Sequence, residues 1–444
     1  MPSEDFFNER GNNMKITNEN RREFMQKLAI VSLVASSGMV SFKAGAQSME
    51  GTRLKIYNGR IITPYRVLNQ GTIVVDGAKI VNVTDANIEV PGAIEIDAKG
   101  LNVSPGFIDL HCHGGGGHSF LDGTVNAYLK AAEIHAKHGT TSIYPTALSG
   151  EKEELFKNVE IYSQADQQNK RGAQFLGMFL EGPYYSMEQK GAQDPRYIRD
   201  PDPEEYKEIL ARAPIIKRWD SAPEREGSLE FARYLRSKGV MASMGHTNAV
   251  YEDVLVAFEN GYSLATHLYS GMAGVTRRDS FRFSGGVQSA FLIDEMNVEV
   301  IADGKHLPAS LLKLIYQRKG ADKIALVTDA MRGAGMPDGD SILGSLENGI
   351  KVIIEDGVAK LPDRSSFAGS VATTDRLVRT MITLADVPLK DAVRMASITP
   401  ANIMGVADQK GSLVPGKDAD ILIFDDDIQI KKTIINGNVV YSRD

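Results

Sequence analysis

The chain has 444 residues, enough for one large domain and an accessory one, and its 42% hydrophobic and 24% charged residues mark an ordinary globular protein. A formal charge of −7 with no long Lys/Arg run argues against nucleic acid as the partner. A single cysteine, Cys112, excludes an intrachain disulfide.

Near the start, Arg21-Arg22 is followed by Phe24 and Lys27, an apolar stretch over 28–40, and the small-residue site Ala44-Gly45-Ala46. That order of basic, apolar and A-x-A segments resembles a twin-arginine export signal over 1–46 and predicts a periplasmic protein. If the arginine pair stands there by chance, the chain stays in the cytoplasm. The apolar stretch is too short to span a bilayer, so no stable membrane span is expected.

Residues 51–103 read as β-rich. "LKIYNGRIITP" and "GTIVVDGAKIVNV" carry Asn58-Gly59 and Asp76-Gly77 between β-branched runs, a pattern that predicts hairpin turns. Residues 405–444 repeat the style, with Asn436-Gly437 at the turn. Both segments are too short to fold alone, so they are expected to meet in one small β-sandwich domain.

Between them, over 104–404, strand-like apolar runs occur at 107–110, 141–144, 175–179, 214–217, 240–243, 263–265, 298–301 and 324–327. Helical patterns such as "NAYLKAAEIHAKHG", "SLEFARYLRSKG", "YEDVLVAFENG" and "PASLLKLIYQRKG" fall between them and close on Gly. Eight strands with helical crossovers predict an α/β fold of the (β/α)8 barrel type. A doubly wound open sheet is the rival, but no G-x-G-x-x-G turn follows any of these runs.

Active sites of such barrels lie at the C-terminal strand ends. The first run ends in His111 and His113, the third in Glu181, the fifth in His246, the sixth in His267 and the eighth in Asp329. The seventh runs into Asp303 and His306, so five of the eight histidines stand at these ends, leaving His118, His135 and His138 elsewhere. Residues two apart on a strand share a face, so His111 and His113 reach one ion while Cys112 points behind the strand into the core. Imidazole and carboxylate together suit zinc or iron, one ion or two if Glu181 bridges them. A metal makes hydroxide available near neutral pH. Asp329 is then a candidate general base, with a further ligand or a structural carboxylate as its alternatives. His306 is a candidate donor to a carbonyl oxygen, or else a loop residue. "HGGGG" lacks the Lys and Ser/Thr of a P-loop, and its glycines are expected to let the backbone pass close to the metals.

The stretches "PGFIDLHCHGGGG", "LEGPYYSMEQKGA", "GHTNA", "THLYSGM", "IADGKH", "ALVTDAM", "FAGS", "RMASITPANIMG" and "GSLVPGKDADI" stand in this order. With them the chain resembles the N-acetylglucosamine-6-phosphate deacetylases of the amidohydrolase superfamily, from about residue 54 to the end. The resemblance implies metal-dependent hydrolysis of the N-acetyl group, releasing acetate and an amino sugar phosphate. It implies Glu181, His246 and His267 as ligands of the principal metal, and an H-x-H site at His111 and His113 that admits a second ion. It further implies Asp329 as catalytic aspartate and His306 as the residue that orients or polarises the acetamide carbonyl. A glutamate rather than a lysine at 181 points away from relatives with a carboxylated lysine.

The resemblance also implies a homodimer in which Arg278 reaches the neighbouring site to bind phosphate; a solvent-facing arginine is the alternative. Sugar contacts are expected from Ala192, Gln193, Ser270, Gly271, Phe367, Ala368 and Gly369. Gln193 stands where the family usually has histidine, Ser270-Gly271 replaces Asn-Ala, and "RDSFRFSGG" replaces R-E-P-G. These changes surround the sugar and phosphate rather than the metal. They leave open an unphosphorylated or wall-derived N-acetyl amino sugar, or another amidase activity. A catalytically dead scaffold is disfavoured, because every expected ligand is present.

Overall fold

The computed structural model describes residues 52–443. The export-signal reading of 1–46 lies outside the described residues. Among those described, no helix is long and apolar enough to cross a membrane.

The eight expected runs become eight parallel barrel strands: Phe107–Cys112, Thr140–Leu148, Met178–Glu181, Ile216–Ser221, Met241–Met244, Tyr262–Ala265, Asn297–Val300 and Ile324–Leu326. Each pairs with its sequence neighbours, and the first and last are joined by the parallel bridge between Cys112 and Ala330. The Asp329 N–H donates to His111 O at 2.9 Å beside that bridge. Helices cover the outside, so the strands are buried on both faces and read as continuous apolar runs, as parallel sheets do. The four quoted helical patterns fold as Val125–Lys137, Ser228–Ser237, Tyr251–Glu259 and Ala309–Lys319. The glycines beyond them, Gly139, Gly239, Gly261 and Gly320, all have the positive φ of a helix stop.

Two runs differ from expectation. The third splits at Gly177, φ 126°, into the short strand Gln174–Phe175 and the barrel strand Met178–Glu181. The fourth continues to Ser221, which carries Asp220 to the barrel mouth. A three-stranded antiparallel sheet, Gly339–Leu343, Ile350–Glu355 and Val358–Lys360, follows the eighth strand; the apolar-run reading did not foresee it.

Both ends of the described residues join one eight-stranded sheet, in which Ile421–Phe424 pairs with Asn102–Pro105. Its own core includes Ile56, Ile73, Val75, Val103, Ile421 and Ile434. Asp76-Gly77 and Asn436-Gly437 are hairpin turns as expected. Asn58-Gly59 is not: Arg53–Ile62 runs straight through it, with a bulge where Asn58 has φ 57°. A Cβ on Gly59 would stand 2.5 Å from Val103 Cγ2, so the glycine serves close strand approach.

The two true turns meet. A Cβ on Gly437, φ 75°, would lie 2.0 Å from the Gly77 carbonyl oxygen. Gly437→Ala should therefore destabilise the protein by about 2 kcal/mol, read as a lower denaturant midpoint with an unchanged slope.

Candidate metal centre and active site

Six of the strand-end residues converge on one point. Glu181 Oε1 lies 3.1 Å from His267 Nε2, 3.3 Å from His246 Nε2 and 3.6 Å from His111 Nε2. Glu181 Oε2 lies 3.4 Å from His113 Nε2. Asp329 Oδ1 is 3.1 Å from His113 Nε2 and 3.5 Å from His111 Nε2. All six side chains are buried. His246, His267 and Asp329 have φ of 47°, 30° and 46°, left-handed conformations that cost roughly 1–3 kcal/mol each at non-glycine residues. Backbone strain at three of the six positions is what a site held for function shows.

The donor set fits a divalent cation. Four imidazole nitrogens and two carboxylates face one another with no basic side chain between them. The ligand atoms of His111, Glu181 and His267 lie within 4.8 Å of one another, as do those of His111, His113 and Asp329. Burial pushes the His111 imidazole down, but the carboxylates of Asp329, Glu181 and Glu299 outweigh it and hold its pKa up at about 9. Burial likewise works against the Glu181 carboxylate, yet His111, His246 and His267 hold it well below its ordinary range. Buried carboxylates this close to imidazoles need a compensating positive charge, which either a proton or a divalent cation can supply.

Outer partners aim these groups. His246 donates from Nδ1 to Gln189 O at 2.8 Å, which leaves Nε2 for the cluster. His306 donates from Nδ1 to Asp303 Oδ2 at 2.8 Å, and Asp303 Oδ1 accepts the backbone N–H groups of Lys305 and His306. Asp220 accepts from the Gly182 N–H at 2.9 Å and from the Tyr185 hydroxyl, whose ring centroid is 4.4 Å from that of His246.

A cavity of about 290 Å³ opens over the cluster. It is lined by His113, Glu181, His246, His267, His306 and Asp329, and by Ala192, Gln193, Ser270, Gly271, Phe367 and Gly369. Gln193 does not project freely into it. Its amide donates to Glu181 Oε2 at 2.8 Å and accepts the Ser149 N–H at 3.3 Å.

Two expected contacts are absent from the lining. Ala368 is fully buried, packed with Met331, Leu343 and Ile354, because its place on the chain turns it into that small core. Arg278 stands exposed on the hairpin of Thr276–Arg278 and Phe281–Phe283, over the Phe283 ring. The glycine run also differs from expectation. A Cβ on Gly114 would strike His118 O at 2.1 Å, and one on Gly115 would meet Ile134 and His135. These glycines seat a tight hairpin and the following helix. The glycines that approach the cluster include Gly271 and Gly191, whose added Cβ would come 2.7 and 3.5 Å from the His246 ring, and Gly369, whose added Cβ would come 3.0 Å from Asp329 O.

Cys112 is buried behind the strand, its Sγ 3.2 Å from His135 Nε2, and burial raises the thiol well above its ordinary range. It is inert as a nucleophile. Sequence reading missed four buried charged residues on the barrel strands: Asp109, Arg218, Asp220 and Glu299. A signal was available as a lone charge inside an apolar run in "FIDL" and "NVEV", whereas "IKRWDS" has three charges in six residues and offers none. Asp109 accepts from the Thr328 hydroxyl and the Thr328 N–H, tying the first strand to the eighth; burial lifts its carboxyl to about 7.

Comparison with known proteins identifies the family. The model of the amidohydrolase family matches residues 102–440. An N-acetylglucosamine-6-phosphate deacetylase of Bacillus subtilis (strain 168) is 32% identical over 86% of this chain and 95% of its own length. An N-acetylgalactosamine-6-phosphate deacetylase of Escherichia coli O157:H7 is 34% identical over 76% of this chain and 86% of its own length. Among solved structures, an N-acetyl-D-glucosamine-6-phosphate deacetylase variant from Mycobacterium smegmatis, in complex with N-acetyl-D-glucosamine-6-phosphate, superposes with a TM-score of 0.81. It is 28% identical, and the match covers 88% of this chain and 100% of that one. On the family match over residues 102–440 and these relatives, the chain belongs to the amidohydrolase family, among the N-acetylglucosamine-6-phosphate deacetylases.

Proposed function

We propose that the protein hydrolyses the N-acetyl group of N-acetylglucosamine 6-phosphate, giving glucosamine 6-phosphate and acetate. The observation that carries this reading is the convergence of four imidazoles and two carboxylates, five of these six groups at the wall of a sugar-sized cavity. Glu181, His246 and His267 would hold a principal divalent ion, zinc or iron, and His111 and His113 a second. A divalent ion in such a set acidifies water toward neutrality and draws electrons from a carbonyl oxygen.

The chain's own residues do the rest. The ionised Asp329 accepts the proton of the attacking water as its oxygen bonds to the carbonyl carbon; it returns that proton to nitrogen as the C–N bond breaks. Burial opposes its charge, but His111 and His113 hold its carboxyl below the ordinary range, so it is ready as a base at neutral pH. His306, its Nδ1–H given to Asp303, turns its other ring nitrogen to the acetamide oxygen and orients that group as negative charge develops there.

One observation favours a second reading for the sugar. Among the described residues, no lysine or arginine lines this cavity. Phosphate recognition would need Arg278 from a second copy, which supports a homodimer. An unphosphorylated N-acetyl amino sugar or wall fragment needs no such cation. The twin-arginine-like segment, supporting a periplasmic location, favours that substrate too. Arg278→Ala should raise KM for the phosphorylated sugar by ~30-fold, the equivalent of ~2 kcal/mol for a charge-assisted contact, and leave the plain sugar unchanged.

The direct test is acetate release by the purified, metal-loaded protein from N-acetylglucosamine 6-phosphate and from N-acetylglucosamine. Preference for the phosphate sustains the first reading, and preference for the plain sugar sustains the second. Silence on both overturns the deacetylase assignment.

A further inference from the structure

One layer beneath the candidate ligands, the barrel encloses an ion pair. Arg218 on the fourth strand and Glu299 on the seventh pair with each other, and neither is exposed. The guanidinium also donates from Nε to Ser243 Oγ at 2.9 Å and from a terminal nitrogen to Thr266 Oγ1 at 2.8 Å, and it lies 3.8 Å over the Phe179 ring. Desolvating two charges is costly, and apolar residues of similar volume often pack as stably. Stability alone is therefore a weak reason for the pair.

The other end of Glu299 supplies a better one. Its Oε2 accepts the His267 backbone N–H at 3.3 Å and lies 3.5 Å from His111 Nδ1. His111 Nδ1 is buried and has no hydrogen-bond partner, while Nε2 faces Glu181 and Asp329. We propose that Glu299 is a positioning residue that receives the Nδ1–H of His111, fixing the tautomer whose Nε2 faces the metal, with Arg218 holding Glu299 in place. A carboxylate behind a ligating histidine sets both its ring orientation and its basicity. The inference rests on the metal-dependent reading above.

The test measures zinc affinity of the full chain by competition with a chromophoric chelator, alongside the thermal midpoint. Glu299→Gln strands the Arg218 charge and is expected to lower the midpoint. The double variant Arg218→Met with Glu299→Met removes both charges and should recover it. If Glu299 positions His111, that folded double variant still binds zinc ~10–100-fold more weakly than wild type, the usual cost of losing such a partner. Wild-type affinity in the double variant would overturn the proposal and leave the pair as mutual compensation only. Should neither variant fold, ¹⁵N NMR of the zinc-loaded wild type decides: a protonated His111 Nδ1 supports the proposal, and a zinc-bound Nδ1 overturns it. Absence of both zinc and ferrous-ion binding by the wild type would instead refute the metal-dependent function itself.

Discussion

Asp329→Asn will lower acetate release by at least ~10³-fold while bound metal stays near the wild-type level. The loss corresponds to removing general acid–base catalysis, which contributes roughly 10²–10⁴-fold where proton transfer is concerted with bond making. The substitution is clean for a local reason. Asp329 holds a left-handed backbone, φ 46°, and asparagine tolerates that conformation better than most residues. The contacts that close the barrel here are backbone ones: the residue 329 N–H to His111 O, and the Ser370 N–H to the residue 329 carbonyl, at 2.9 and 2.8 Å. Asparagine keeps both, and its side-chain oxygen can still face His113. What it loses is the ability to accept a proton. Metal analysis and single-turnover acetate release on the same preparation check the two halves of the expectation. Activity within a few-fold of wild type would move Asp329 from proton transfer to a purely holding role.

The candidate site was legible because a barrel converts sequence position into location: a polar residue that ends an apolar run stands at the mouth. His113, Glu181, His246, His267 and Asp329 obey that rule and line the cavity, His111 joins them within 3.6 Å of Glu181, and Cys112 obeys the pleat by turning to His135. Legibility failed where two distant segments decide together. Asn58-Gly59 carries the same local signal as Asn436-Gly437, but Val103 and continued pairing with Val67–Asp76 override it. Nothing near Arg218 announces Glu299, 81 residues later on another strand. The "FAGS" motif names neighbours without saying which face the cavity, and only Phe367 and Gly369 do. The sheet that follows the eighth strand brings Leu343 to that cavity, a contribution that strand counting could not supply.

Glu181→Gln separates holding the metal from moving the proton, because it should lose both metal and turnover where Asp329→Asn loses only turnover. Oε1 of Glu181 has three imidazole nitrogens within 3.6 Å and Oε2 has a fourth, so this carboxylate is the hub of the donor set. Glutamine preserves its size but removes the charge that offsets a buried cation, and a hard neutral oxygen is a poor substitute. The amide also sets an N–H on one of two sides: toward the imidazoles, where it takes an oxygen away from the ion, or toward the Gln193 amide, which donates to that oxygen at 2.8 Å and would lose its acceptor. After dialysis against a mild chelator, the variant should retain under about a tenth of the wild-type metal, as expected when a first ligand and its charge are lost together. Turnover should fall at least ~10³-fold, since water activation by the ion is lost with it. Added metal should restore little of it, whereas chelated wild type should recover on reloading. Full metal content in Glu181→Gln would mean that the histidines and Asp329 alone hold the ion, and that Glu181 acts on the substrate side instead.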